Sequence, residues 1–136
     1  MSYLIDTNVL SELRRKLPHP GVSAWFAQRP ASSLYLSVLT LGELRKGIDG
    51  VNDEARKLAL SDWLNTDLSV FFLGRVLSID EQVADRWGQL VAAAGRPLPA
   101  IDSLLAATAL VHRLTVVTRN AKDFEGLGLT VINPWS

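Results

Sequence analysis

The sequence predicts one α/β domain, residues 1–136, with a central parallel sheet covered by helices on both faces. Three observations point there. Short apolar runs alternate along the chain with longer stretches of helical periodicity. These runs stay apolar throughout, as strands buried on two faces must, instead of alternating apolar and polar residues. The length, 136 residues of which 48% are hydrophobic, suits one core, and no repeat, linker or low-complexity segment interrupts it.

Tyr3-Leu4-Ile5 is a β-type apolar run that stops at Asp6 and reads as a buried strand. Asn8 to Lys16 reads as a helix with Val9, Leu10 and Leu13 on one side, and Pro18 and Pro20 break it. Gly21 to Arg29 is a second short helix carrying Trp25 and Phe26, which are expected in the core or, with Trp63, in a groove for a partner helix. Leu34 to Val38 is the next strand, and Thr40 to Ile48 a helix stopped near Gly47 and Gly50. Asp53 to about Leu68 is a longer helix that turns Leu58, Trp63 and Leu64 inward. Val76 to Ile79 is a short strand. Asp80 to Ala94 is a helix with Val83, Trp87 and Val91 at helical spacing, ended by Gly95-Arg96-Pro97. Ile101 to Arg113 is a strongly apolar helix, and Leu114 to Thr118 a β-branched buried strand. Gly126-Leu127-Gly128 makes a turn into a last strand, Leu129 to Ile132, before Asn133-Pro134-Trp135.

Composition removes several function classes. Lys+Arg and Asp+Glu are equal at 14 each, so no global basic field draws the chain onto nucleic acid. Any attraction to RNA or DNA has to be local or carried by a metal. There is no cysteine, which excludes disulfides, thiolate catalysis and iron–sulfur clusters. His19 and His112 are the only imidazoles, too few for a closed zinc site. His19 reads as a turn residue and His112 as a charge at a helix end. The opening Met-Ser-Tyr-Leu-Ile-Asp meets an acid before an apolar signal region can form. The longest apolar stretch, Leu104 to Val111, falls far short of the ~20 residues that span a bilayer. A soluble cytoplasmic protein is expected. A mean hydropathy of +0.16 at zero net charge points to buried interfaces with itself or a partner.

In parallel sheets of this kind ligands sit beyond the carboxyl ends of the strands. Asp6, Glu43, Asp102 and Asp123 can all reach that edge, with Asn120 between the Thr118 strand and Asp123. Each has a plain structural reading. Asp6 is a good helix cap. Thr40-Leu41-Gly42-Glu43 fits a capping box. Asp102 suits the positive end of a helix dipole. Asn120 to Asp123 resembles another cap. Together these readings weaken, because caps accept Ser, Thr or Asn, and crowded carboxylates repel one another. Hard divalent cations offset that repulsion. Mg²⁺ and Mn²⁺ take oxygen ligands and serve phosphoryl displacement. Arg119 and Arg14-Arg15-Lys16 are candidate phosphate contacts, the latter balanced against a solvated helix end.

Leu4-Ile5-Asp6-Thr7-Asn8-Val9-Leu10-Ser11-Glu12-Leu13 resembles the opening of a PIN domain. Leu41 to Gly47 resembles its second motif, Pro99 to Ala109 its third, and Val117 to Phe124 with Asn133-Pro134-Trp135 its last. The resemblance spans essentially the whole chain and is nearest to VapC-like toxins, including the FitB-like group. It implies a three-layer α/β/α fold and a Mg²⁺- or Mn²⁺-dependent ribonuclease of a type II toxin–antitoxin pair. The implied partners are an RNA substrate and a small cognate antitoxin, and a homodimer is expected. On this resemblance Asp6 and Asp102 are the principal metal ligands and Glu43 completes the site. Some relatives carry an acid where this chain has Asn120, and others just before the Phe, here Asp123, so either can be the fourth site residue. Thr7, Asn8 and Ser103 are candidate hydrogen-bond partners of the carboxylates, or caps and turn residues. Two other readings compete. An apolar strand ending in Asp also opens haloacid dehalogenase-type phosphatases and receiver domains, but position 8 is Asn and the late strand is followed by Arg119. A PIN-like module that binds RNA or a partner without cutting it would have no need of these carboxylates.

Overall fold

The computed structural model describes residues 1–136. Five parallel strands form one sheet in the order β3-β2-β1-β4-β5. They are β1 (Tyr3–Ile5), β2 (Leu34–Ser37), β3 (Val76–Leu77), β4 (Thr115–Val117) and β5 (Val131–Ile132). In the register, Tyr3 pairs with Leu34 on one side and Thr115 on the other, so β1 lies at the centre. Leu36 pairs with Val76, and Val116 with Val131, which extends the sheet outward on both sides.

Successive residues of one strand feed opposite cores, which is why the strands have no polar face. Ile5 and Val117 enter a core with Val9, Leu10, Val22, Leu44, Leu64 and Phe72. That core lies under α1 (Thr7–Leu13), α2 (Pro20–Ala27), α3 (Val38–Asp49) and α4 (Glu54–Asp62). Leu4 and Val116 point the other way, into a core with Leu90, Leu105, Ala106, Ala109 and Phe124. Trp25, Phe26 and Trp63 pack against the first core from partly buried positions.

Beyond α4 the chain departs from the single helix expected over 53–68. Trp63–Leu68 continues as a π-helix and Ser69–Phe71 returns to α-helix as α5. The wider turn keeps Leu64 and Leu68 facing the core. The remaining helices, α6 (Glu81–Ala94) and α7 (Ala100–His112), form a hairpin over the second core. Gly95, at φ +68°, ends α6 in the left-handed conformation that glycine adopts without Cβ strain. The segment after β4, where Asn120 to Asp123 resembles a cap, forms a 3₁₀ turn over Ala121–Phe124, and Asn120 makes no side-chain cap hydrogen bond. No helix is long and apolar enough to cross a membrane.

The strand order locates the functional edge. From β1 the chain moves outward to β2 and β3, then returns to place β4 on the other side of β1. The direction of winding reverses between β1 and β4, and a crevice opens there at the carboxyl ends. The residues that leave those two strands are Asp6 and Thr118.

Candidate active site

Asp6 sits at this switch point, 5% exposed. Its backbone N–H continues the sheet by donating to the Val117 carbonyl at 3.0 Å. Its side chain caps α1, with Oδ1 accepting from the Thr7 N–H at 2.7 Å. The structural and functional readings of Asp6 therefore hold together, because the second oxygen remains to be used. Oδ2 accepts from the Thr118 hydroxyl at 2.8 Å and from Asn8 Nδ2 at 3.4 Å. Burial pushes the Asp6 carboxyl above its ordinary value, the hydrogen bonds from Thr118 and Thr7 pull it back, and the charges of Glu43 and Asp123 push it up again.

Glu43 reaches the site from α3. The Thr7 hydroxyl donates to Glu43 Oε1 at 2.6 Å, tying the start of α1 to α3. The capping box expected at Thr40 is not formed. Ser37 caps α3, accepting from the Leu39 N–H at 3.1 Å, so the helix begins earlier. Thr40 lies inside it, fully buried, with its hydroxyl unpartnered. Glu43 therefore has no partner in a cap and turns to the crevice.

Asp102 is in the first turn of α7, and Pro99 precedes the helix without any side-chain cap. Asp102 makes no cap hydrogen bond, and its place in the first turn is the one the helix dipole favours for an acid. Its carboxyl is pushed up to about 6, first by burial, then by the charge of Asp6 and by Asp123 beside it. Asp123, from the 3₁₀ turn, stands against Asp102. Asn120 lines the crevice, its N–H donating to Thr118 Oγ1 at 3.0 Å. Ser103 turns away from the acids. It accepts from Trp87 Nε1 at 2.9 Å and donates to the Ala100 carbonyl at 2.9 Å.

Asp6, Glu43, Asp102 and Asn120 thus share one open cavity of about 550 Å³, with Asp123 immediately behind Asp102. The acids surround it as separate carboxylates and do not close into a finished cage of three. The donor set is oxygen only. Two of its carboxyls are held above their ordinary range, first by burial and then by neighbouring charge, and a cation there would favour their ionised form. These residues fit a hard divalent metal.

Three further residues in or beside this cavity, Thr118, Glu12 and Trp135, had no assigned role on sequence grounds, and His19, read as a turn residue, joins them. Thr118 is the polar end of an otherwise apolar strand, which is its one visible signal. Glu12 is 5% exposed and accepts from the His19 N–H at 2.9 Å, with Arg15 Nη1 at 3.3 Å. The His19 hydrogen bond, then Arg15, hold its carboxyl below the ordinary range. His19 in turn caps α2, its Nδ1 accepting from the Gly21 N–H at 3.1 Å. Trp135 reaches the cavity from the C-terminal tail, with Arg119 over its ring.

Residues 3–128 match the PIN domain. This chain belongs to the PIN-domain family. The five-stranded parallel sheet between helical layers is the PIN-like α/β/α architecture. Among relatives, the chain is 38% identical over 135 residues to toxin FitB of Neisseria gonorrhoeae, covering 97% of each. It is 36% identical over 135 residues to VapC ribonuclease Y4jK of Sinorhizobium fredii, covering 97% of this PIN chain and 96% of the relative. The crystal structure of FitAcB from Neisseria gonorrhoeae superposes with a TM-score of 0.92 at 37% identity, covering 98% of both chains.

Proposed function

We propose that this PIN domain is the toxin of a type II toxin–antitoxin pair. In this reading it is an endoribonuclease that hydrolyses RNA phosphodiester bonds with Mg²⁺ or Mn²⁺ and is held inactive by a small cognate antitoxin. The observation that carries the reading is the meeting of Asp6, Glu43 and Asp102 around one cavity at the sheet's switch point. The likeness to proteins named as a toxin and a VapC ribonuclease supports it.

Asp6 and Asp102 would hold the cation, with Glu43 and Asp123 completing the oxygen set. When bound, a divalent cation supplies Lewis acidity toward water and phosphoryl oxygen. The chain's own contribution is placement. Thr118 and Thr7 fix the carboxylates of Asp6 and Glu43 through their hydroxyls. Asn120 offers a neutral amide to water or phosphate without adding charge. Arg119 and Arg15 line the same cavity and face the phosphate with positive charge. In this reading the protein works in the cytoplasm and pairs with a second copy, the pairing supported by exposed Leu17, Val70 and Leu73 on a chain without net charge.

The test is cleavage of RNA by purified protein with Mg²⁺, with EDTA, and with Asp6→Asn or Asp102→Ala. Cutting by wild type alone, and only with the metal, is expected. Undiminished cutting in excess chelator would overturn the metal mechanism. Binding without cutting would favour a silent PIN-like module.

A further inference from the structure

We propose that Trp135, with Arg119 over its ring, is a stacking platform for the base of a nucleotide flanking the scissile phosphate of single-stranded RNA. The proposal rests on the nuclease reading above.

Trp135 is the one hydrophobic residue among the 11 that line the acidic cavity. It packs against the first core from a partly buried position and also borders the acidic cavity. The other half-buried tryptophans of the first core, Trp25 and Trp63, do not line this cavity. The chain also holds Trp135 in place by several contacts. β5 is tied to the end of β4 by the Thr118 N–H, which donates to the Ile132 carbonyl at 3.0 Å. Asn133 Oδ1 then accepts from the Trp135 N–H at 2.9 Å. The Pro134 carbonyl lies so close to Gly21 that a Cβ there would meet it at 2.8 Å. Arg119 is anchored through its backbone, and its exposed side chain lies over the indole. Its N–H donates to Asn8 Oδ1 at 3.2 Å, and its guanidinium carbon lies 5.3 Å from the Trp135 ring centroid. Asn8 also touches Asp6, so platform and carboxylates are held in one frame.

The chemistry favours a base as the occupant. The chain has no net positive charge, so long-range attraction to phosphates supplies little. Short-range contacts must then carry the binding. Unpaired bases stack on indoles and on guanidinium planes alike, and here Arg119 and Trp135 stand side by side at the cavity. One base–aromatic stack changes binding by roughly 5- to 150-fold.

The experiment uses a 5′-labelled single-stranded RNA of about ten nucleotides, together with a set in which one base at a time is replaced by an abasic sugar. Cleavage in Mg²⁺ gives kcat and KM, and fluorescence anisotropy in EDTA gives binding. In wild type, removing one base next to the cut should raise KM about tenfold with a smaller change in kcat. Trp135→Leu should lose about tenfold on the intact RNA and nothing more on that abasic RNA. Trp135→Phe should keep most of the activity. If base removal and Trp135→Leu lose activity independently, so that the losses multiply, the platform is overturned. If wild type ignores base removal at every position, it is overturned without any variant having to fold. RNA cut with no base dependence leaves the nuclease reading standing and removes the platform. A Trp135-dependent base preference in binding, without cutting, leaves a base-stacking site but overturns its place beside a scissile phosphate together with the nuclease reading. Loss of affinity for a protein partner with RNA parameters unchanged assigns Trp135 to that partner and overturns the proposal.

Discussion

The Thr118 hydroxyl donates to Asp6 Oδ2 across 2.8 Å, joining residues 112 positions apart in the chain. Thr118 Oγ1 also accepts from Asn8 Nδ2 at 3.2 Å and from the Asn120 N–H at 3.0 Å. A threonine hydroxyl has one proton to give and two lone pairs to receive, and here all are engaged. The ends of β1 and β4 are pinned at the point where the carboxylate has to be aimed.

Thr118→Val keeps the shape and removes those three hydrogen bonds. The buried Asp6 carboxyl, already above its ordinary value, loses the largest influence pulling it down and should rise further. Cation affinity should fall by roughly 10–100-fold, the usual cost of losing a group that orients a ligand. Stability should fall by about 1–3 kcal/mol, because the Asn120 N–H and Asn8 lose an acceptor. Calorimetric Mn²⁺ titration and thermal melts measure both. Thr118→Ser should restore most of each, and a valine variant that binds Mn²⁺ like wild type would contradict this account.

Asp123 and Asn120 compete for the fourth place in the site, and the geometry separates their roles. Asn120 lines the cavity, whereas Asp123 stands against Asp102 and helps hold its carboxyl up. Asp123→Asn should therefore lower the Asp102 pKa in metal-free protein, and Asn120→Ala should leave it near the wild-type value. Carbon-detected NMR titration of the aspartates reads this directly. Equal effects of the two substitutions would remove the distinction. For RNA cleavage, loss with Asp123→Asn marks a ligand, and loss with Asn120→Ala alone marks a contact to water or phosphate.

The alternation of buried strands and helices was legible because parallel strands buried on both faces leave an unmixed apolar signal, as in Thr115-Val116-Val117. Asp6, Glu43 and Asp102 were legible as candidates for an acidic edge because Asp6 follows β1, Asp102 begins α7 and Glu43 lies in the helix that follows β2. Local pattern failed where tertiary contacts decide. Thr40 fits a capping box by spacing, but Ser37 ends β2 and caps α3 first. Ser103 is next to Asp102 in sequence, yet Trp87 of α6 claims its hydroxyl. The π-turn over Trp63–Leu68 answers to the core beneath it and leaves no local mark. Thr118, Glu12 and Trp135 act through partners on other elements, so composition and periodicity pass over them.

Gly21 explains how the tail is kept at the cavity. A Cβ there would lie 2.8 Å from the Pro134 carbonyl oxygen and 3.1 Å from His19 Cε1. The first neighbour is backbone and cannot rotate away. Gly21→Ala should push the tail off α2 and cost about 1–3 kcal/mol, the range for overpacking. Removing Ser136 should cost little, since its N–H makes only a turn with the Asn133 carbonyl. Melts of the two variants decide this, and an alanine variant as stable as wild type would mean that the tail moves at no cost.

The last prediction concerns pH and the repulsion among the carboxylates. Asp102 titrates near 6 in the folded, metal-free chain against an ordinary value of 3.8, through burial and the neighbouring acids. The native state therefore holds this proton more tightly than the unfolded chain does. Stability from Asp102 is fully present below pH ~4, falls as pH rises toward about 6, and stays at the lower level above that. Asp6 is raised as well and adds to the fall in the same direction. Asp102→Asn removes the charge and keeps the shape, so in EDTA at pH 7 to 8 it should melt higher than wild type. The gain should be about 1–2 kcal/mol, less than the full shift converts to, because the carboxyl is only half-buried and solvent screens it. Below pH ~4 the two proteins should melt together, since wild type is then protonated. Excess Mg²⁺ should narrow or reverse the gap, because wild type gains binding free energy that the asparagine variant largely lacks. Thermal melts of both proteins across this pH range, with EDTA and with Mg²⁺, test each part. An asparagine variant that melts lower than wild type in EDTA at neutral pH would make Asp102 a stabilising charge at the start of α7, and the repulsion would not be what governs this site.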